Sequence, residues 1–243
     1  MIFSQLPEQE RIEIINKVTE NLINLNSQSL YHFCFDSDFY VDTTSFETLA
    51  YNLNADNYDA GATKLVLFYD DIPDYVIKLP IFGYYDEWND KYFEFQKSNC
   101  YCPIEENNNY CAAECYYTEL AYQYKLEDMF IKTEVLTKIH GIPVYISERI
   151  DCINEPWENE YLCEDDAVIY SAQNLYHQYK NGLDKSKFYL ENLILFIDYY
   201  GLKRTNQLID FILQNNIQDL HNANIGFDFN GDLKIIDCAG FFD

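Results

Sequence analysis

Basic residues are scarce in this sequence. Its 243 residues contain 16 lysines and arginines against 41 aspartates and glutamates, which gives a formal net charge of −25 and a pI near 4.2. Proteins that hold nucleic acid over a broad surface neutralise its phosphates with lysine and arginine, so we do not expect direct nucleic-acid binding. The same negative field would repel an anionic membrane. It is compatible with basic protein partners and with a surface that imitates nucleic acid.

Long apolar runs are missing as well. No stretch approaches the about 18 uninterrupted apolar residues of a membrane-spanning helix. The start of the chain, MIFSQLPEQERIEIINK, has neither the basic nor the apolar region of a signal peptide. We therefore expect a cytoplasmic protein without a membrane partner. In that compartment the eight cysteines are expected to be thiols or metal ligands rather than disulfides.

The apolar content is high enough for a sizeable core. Hydrophobic residues make up 48% of the chain and aromatic residues 17%, which excludes wholesale disorder. Helical spacing of apolar residues predicts a helix over 8–25, whereas 31–53 fits a strand or a short helix equally well. The sequence further predicts a hairpin of strands 60–69 and 75–81, a helix over 111–126, and a second hairpin of strands 133–140 and 143–150.

The second half of the chain has the pattern of helices. Segments near 165–181, 186–200 and 203–215 predict helices, and the apolar runs on either side of Asn230-Gly231 predict a terminal hairpin. A strand-rich half followed by a helical half predicts an α+β fold in two lobes. We expect an N-terminal helix and extension over 1–57, a β-rich lobe over 58–151 with an insertion at 84–110, and a helical lobe over 152–243.

The segment 219–240, DLHNANIGFDFNGDLKIIDCAG, is the most informative one. It places Asp219, His221 and Asn224 in a loop after a helix, and Asp237 at the far end of the following hairpin. Carboxylate and amide oxygens of this kind suit Mg²⁺, which takes one or two carboxylates together with the phosphates of a nucleotide. Each residue type is also common in turns and caps, so the combination with the hairpin carries the prediction, rather than the D-x-H-x-x-N motif alone.

The loop D-L-H-N-A-N followed by I-I-D-C-A-G resembles the catalytic and metal-binding loops of the protein-kinase-like superfamily. It is closest to the D-x-H-x-x-N form of the aminoglycoside-phosphotransferase branch, and short kinase-like proteins of bacteriophages and mobile elements look similar. Tyr75-Val76-Ile77-Lys78 matches the strand V-A-I-K in character. Glu114 fits the glutamate of the helix that follows, with Glu119 as the alternative. The resemblance covers nearly the whole chain from about residue 58.

This resemblance implies a two-lobed protein-kinase-like fold, with a β-rich N-lobe and a minimal helical C-lobe that ends just after the metal-binding loop. It also implies ATP and Mg²⁺ as cofactors. Lys78 would contact the α- and β-phosphates and pair with Glu114. Asp219 would accept the proton of a substrate hydroxyl, and Asn224 and Asp237 would hold Mg²⁺.

Three departures from the family pattern bear on function. Only Gly61 stands where a glycine-rich phosphate cover is expected, so the nucleotide would receive fewer backbone N–H contacts. Ile217 replaces the histidine that usually precedes the catalytic aspartate, and His221 either takes a related role in bridging the two loops or is a packing residue. The chain ends six residues past Asp237, before a substrate platform, so the acceptor is not specified.

Four cysteines raise a second metal hypothesis. Cys100, Cys102, Cys111 and Cys115 could hold Zn²⁺ tetrahedrally and would then fix the start of the helix that carries Glu114. Their spacing is not a common zinc signature, and cysteine also serves as a small core residue.

Two functions follow from these patterns. The first is a small ATP- and Mg-dependent kinase-like phosphotransferase of unknown acceptor. The alternative is an acidic kinase-like or pseudokinase binding protein of phage or mobile-element origin, which would inhibit a host or defence protein in the host cytoplasm by imitating nucleic acid. Asp219 favours the enzyme, because nucleotide binding alone needs no base. The charge of −25 favours the binding protein.

Overall fold

The computed structural model describes residues 2–25, 43–60, 64–80, 103–153, 163 and 165–238. The chain divides into two compact units, one formed by residues 1–112 and 133–149 and the other by residues 113–132 and 150–243. Strands dominate the N-terminal region and helices the C-terminal region, which confirms the predicted α+β class. Residues 113–132, which the sequence places with the strand-rich lobe, belong to the second unit because Ala121, Met129 and Phe130 pack into its core.

The first unit is built on an antiparallel sheet. Its described elements are helices α1 (Glu8–Asn21) and α2 (Thr43–Asn52) and strands β1 (Asn57–Ala60), β2 (Lys64–Phe68), β3 (Tyr75–Pro80), β4 (Thr133–Ile139) and β5 (Ile142–Glu148). Among the described residues these strands pair in the order β1-β2-β3-β5-β4. The β4–β5 turn is His140-Gly141, whose φ angles of 50° and 84° suit a tight hairpin turn, so β5 begins at Ile142 instead of Pro143.

One face of this sheet forms the core of the first unit. Leu65 and Leu67 of β2 and Ile77 and Leu79 of β3 are fully buried there, and α1 contributes Val18 to the same core. The alternate residues of each strand point to the opposite face, as the two-residue period of a strand requires.

Strand β4 contains an irregularity that affects both faces. Its register against β5 shifts between Val135 and Thr137, which is a β-bulge at Leu136. Leu136 is buried in the core of the first unit. On the N-terminal side of the bulge, Thr133 stands opposite Ser147.

The second unit is mainly helical. Helix α3 (Pro103–Gln123) leads into it, and the remaining described elements are α4 (Asp166–Lys185), α5 (Leu190–Tyr200), α6 (Leu202–Gln214), β6 (Ile150–Cys152), β7 (Ile225–Asp228) and β8 (Leu233–Ile235). The three helices predicted from the second half are thus confirmed. Phe196 and Phe211 lie fully buried in the core.

The terminal hairpin is also confirmed. Strands β6, β7 and β8 pair in that order within the described residues. In the β7–β8 turn, the Asp228 carboxylate accepts hydrogen bonds of 2.9 Å from the backbone N–H groups of Asn230 and Asp232. Gly231 has φ of 82°, which a glycine adopts without strain.

Among the helices of the described residues, none combines the length and the apolar character that crossing a membrane requires.

Candidate functional site

The loop that carries Asp219 is fixed to the helices before it. The Leu220 N–H donates to the Ser186 carbonyl at the end of α4, at 2.8 Å. The buried Asn192 side chain on α5 donates to the Leu220 carbonyl at 3.1 Å. Since Leu220 itself is fully buried, the backbone beside Asp219 is held on both sides while the Asp219 side chain stays partly accessible.

Asn224 joins this loop to the segment that carries Asp237. Its Nδ2 donates to the Asp219 carbonyl at 2.7 Å and lies 3.4 Å from the Asp237 carbonyl. The Asn224 carbonyl accepts from the Ile236 N–H at 2.9 Å, and the residue is 8% exposed. Because the amide nitrogen makes these contacts, the amide oxygen is the atom that could coordinate a cation. The two predicted loops are therefore neighbours within the second unit.

Both aspartates have left-handed backbone conformations. Their φ angles are 63° for Asp219 and 48° for Asp237. Lys187, with φ of 57°, shares this conformation, so three of the seven non-glycine residues with positive φ in the described part of the chain lie in this region. Such conformations are strained for most residues and collect at functional sites.

Lys187 is a site residue that the sequence analysis misses. Its Nζ lies 2.6 Å from Asp219 Oδ1, and the two side chains are 47% and 19% exposed. Lys187 follows the end of α4, where the Phe188 N–H bonds back to the Leu183 carbonyl at 2.9 Å. This pattern ends a helix with one left-handed residue, usually glycine. No local motif distinguishes Lys187 from the lysines around it.

His221 lies beside the same carboxylate. Its Nε2 is 3.6 Å from Asp219 Oδ1 and 3.4 Å from Asn224 Nδ2. These contacts lie within the 219–224 loop. They are consistent both with a role beside the carboxylate and with packing, so the part of His221 in bridging the loops stays a prediction.

The predicted magnesium ligands fit that ion by their chemistry. Asp237 and Asn224 offer a carboxylate and an amide oxygen, and Mg²⁺ usually takes few protein ligands because water and phosphate complete its octahedron. A fuller protein cage is not seen, since the described residues contain no group of three or more His, Cys, Asp or Glu side chains placed to hold a metal ion.

The zinc hypothesis is only partly covered by the structure. Cys100 and Cys102 lie outside the described residues. Cys111 is buried on α3 and Cys115 is half-buried on the same helix. The four-cysteine site therefore stays a prediction.

The remaining predicted residues lie in different units. Lys78 is on β3 of the first unit, only 4% exposed, and its Nζ lies 3.4 Å from Thr133 Oγ1. Glu114 is fully buried on the part of α3 that belongs to the second unit. The alternative, Glu119, forms an ion pair of 2.8 Å with Lys132. The Lys78–Glu114 pair stays a prediction, and Gly61 lies outside the described residues.

Comparisons with known proteins give no relative. No protein-family model matches the chain, and no curated protein or solved structure matches it significantly. The kinase-like interpretation therefore depends on the motifs and on the geometry of the site.

Proposed function

We propose that the protein is a small Mg-ATP-dependent phosphotransferase of kinase-like type that acts on a hydroxyl acceptor. One observation carries the proposal: a single amide group, that of Asn224, contacts the backbone of both Asp219 and Asp237. Asp219 and Asn224 were predicted from the D-x-H-x-x-N motif, and Asp237 was predicted from the I-I-D segment at the end of the hairpin. The buried Asn224 amide connects the backbones of these two segments. If Asp219 and Asp237 were unrelated turn residues, no shared contact with the Asn224 amide would be expected.

The proposed chemistry assigns a role to each residue of the second unit. The acceptor oxygen would bond to the γ-phosphorus as the bond to the bridging oxygen breaks, ADP would leave with that electron pair, and the acceptor proton would pass to the Asp219 carboxylate. Lys187, at 2.6 Å, would orient that carboxylate. Asn224 and Asp237 would hold Mg²⁺, which when bound neutralises phosphate charge.

In the first unit, Lys78 would bind the nucleotide. It is a buried cation on a strand of a protein that has few basic residues, which supports a specific task. Phosphoryl transfer needs mainly positioning and charge neutralisation, so a small set of such residues is sufficient.

Mg-ATP binding and phosphate transfer test the proposal. A ligand at about 100 times its Kd stabilises a protein by about 2.7 kcal/mol, which corresponds to a rise in Tm of about 5–10 °C for a chain of this size. Asp219→Asn should keep this rise and lose ATP turnover or transfer by about 100-fold or more. Asp237→Asn should lose the Mg²⁺-dependent part of the rise. The exposed Asp210→Asn is the matched control and should change neither. A wild-type protein whose Tm does not respond to Mg-ATP refutes the proposal.

The net charge of −25 supports a second candidate, an acidic protein that occupies a basic partner. Its capture of a partner from a host lysate should weaken steeply between low and high salt, because exposed charges are screened. Asp219→Asn should capture the partner as well as the wild type does. Capture that is insensitive to salt contradicts this candidate.

A further inference from the structure

A cleft that is open to solvent lies between α4 and α6 in the second unit. Its volume is about 300 Å³, close to the lower limit of roughly 300–1,000 Å³ for sites that hold small molecules. We call it the α4–α6 cleft. None of the described residues that line it belongs to the loops of Asp219 and Asp237. The residues that line it include His177, Gln178, Lys180, Asn181 and Gly182 of α4 and Leu213 of α6.

The two helices touch where Gly182 meets Leu213. A side chain has no room at Gly182, because a Cβ atom there would lie 2.4 Å from Leu213 Cδ2. Leu213 therefore packs directly against the backbone of α4. Gln178 precedes Gly182 by four residues and so lies on the same side of the helix. The α4–α6 cleft thus combines an apolar contact from α6 with polar side chains from α4.

The protein itself does not use these polar side chains. Within the described residues, His177, Gln178, Lys180 and Asn181 make no side-chain hydrogen bond or ion pair. Each of them carries at least one N–H donor when the imidazole is neutral. His177 and Lys180 are three residues apart on one helix, so their side chains are neighbours and can reach a common ligand atom.

The two segments that form the cleft contain no acidic residue. Residues 167–183 and 211–218 have neither aspartate nor glutamate, although 41 of the 243 residues of the chain are acidic. The next carboxylate along α4, that of Asp184, accepts from the Tyr176 hydroxyl and forms no ion pair with Lys180 among the described residues. A protein with a net charge of −25 repels anions over most of its surface, so a site for an anion has to be free of carboxylates.

We infer that the α4–α6 cleft binds a small organic oxyanion, a carboxylate or a phosphate monoester that carries an apolar group. Lys180 and His177 contact the anion, Gln178 and Asn181 donate further hydrogen bonds, and Leu213 covers the apolar group. The inference goes beyond the proposed function and does not depend on it, because the cleft requires neither Asp219 nor Asp237.

The experiment is an NMR titration of the full, ¹⁵N-labelled chain with three probes: phenyl phosphate, benzoate and benzyl alcohol. At least one of the two anions should shift the backbone amides of Gly182 and Leu213 as it saturates the cleft. Binding of one anion alone identifies the oxyanion as phosphate or carboxylate. Benzyl alcohol has the same ring without the charge and should bind at least about tenfold more weakly, because it gains no charge-assisted hydrogen bond.

Replacing Lys180 tests the role of its charge. Lys180→Met removes the charge and keeps an unbranched side chain, and it should weaken the anion at least about fivefold. Lys203→Met makes the same change at another exposed position, about 15 Å from Leu213 along α6, and should change binding less than about twofold. Lys180→Arg keeps the charge and should retain binding. Neither methionine variant should change Tm, because both lysines are exposed.

The outcomes separate this inference from the proposed function. If neither anion shifts Gly182 and Leu213, or if Lys180→Met binds as tightly as the wild type, the inference is wrong. Shifts confined to the loop of Asp219 would place the anion in the candidate active site, which contradicts this inference and leaves the phosphotransferase intact. A chain that binds an anion in the cleft but shows no rise in Tm with Mg-ATP keeps this inference and refutes the phosphotransferase.

Discussion

Replacing Asn224 by aspartate tests how the two loops are held together. The substitution keeps the shape of the side chain and an oxygen for a cation, but it replaces the amide nitrogen by a carboxylate oxygen. The 2.7 Å hydrogen bond to the Asp219 carbonyl is lost, and so are the contacts of 3.4 Å to the Asp237 carbonyl and to His221. A negative charge also enters a residue that is 8% exposed.

The expected loss of stability follows from these contacts. One hydrogen bond contributes about 1 kcal/mol, and a buried carbonyl left without its donor adds about 1–3 kcal/mol. Asn224→Asp should therefore lower the free energy of unfolding by about 2–4 kcal/mol. The contact from the Ile236 N–H to the Asn224 carbonyl should open with it, since both belong to the same junction.

Urea unfolding followed by circular dichroism measures the loss in the free energy of unfolding. Hydrogen exchange at the Ile236 amide measures the opening of its hydrogen bond to the Asn224 carbonyl. Asn206→Asp is the matched control, because Asn206 also donates from Nδ2 to a backbone carbonyl, that of Leu202 at 3.1 Å, but at the solvent-facing side of α6. The control should stay within about 0.5 kcal/mol of the wild type. If Asn224→Asp loses no more stability than Asn206→Asp, and Ile236 keeps its protection, the junction does not hold the loops.

Three further predictions concern other parts of the molecule. Lys187→Ala should change stability by less than about 1 kcal/mol, because the lysine side chain of this ion pair is 47% exposed, yet it should lower phosphate transfer about 100-fold. Equal transfer by Lys187→Ala and by the exposed Lys185→Ala would show that the lysine does not orient Asp219. Phe211→Ala should cost about 3–5 kcal/mol in urea unfolding, since its ring is fully buried with two aromatic ring centroids 5.1 and 5.5 Å away; a loss below about 1 kcal/mol would contradict this packing. Burial, and to a lesser extent nearby carboxylates, raises the pKa of Tyr75 to about 12. As the pH rises, this tyrosine therefore ionises in the unfolded chain before it does so in the folded protein. The stability that the protonated Tyr75 contributes is complete below pH 10 and falls as the pH rises towards 12. Tyr75→Phe should flatten the decline measured by urea unfolding between those pH values, and an unchanged slope would exclude Tyr75 as its source.

Local patterns were sufficient for most of the fold. The apolar residues of β3 and the turn before it predicted the first hairpin, and Asn230-Gly231 predicted the last. Strands β1 and β6 were missed, because they are four and three residues long and contain polar residues. Such strands are stabilised by the neighbours they pair with, and a short window of sequence carries no sign of that pairing.

The residues of the candidate site likewise separate into those that a local motif predicts and those that depend on tertiary contacts. Two short sequence motifs, D-x-H-x-x-N and I-I-D, were sufficient to predict Asp219, Asn224 and Asp237. Lys187 was not predicted, because its position depends on where α4 ends and on which loop folds back against that end.

The bulge at Leu136 places the Thr133 hydroxyl beside the Lys78 ammonium. Without the bulge, the register that pairs Thr137 with Val144 would continue along the whole of β4. Thr133 would then stand opposite Glu148, and its side chain would point towards the apolar core. The ammonium would lose its hydroxyl neighbour, and a threonine would take a place among leucines and isoleucines. The extra residue, Leu136, thus lets the second half of this edge strand pack into the apolar core while its first half presents Thr133 to Lys78 on the opposite face.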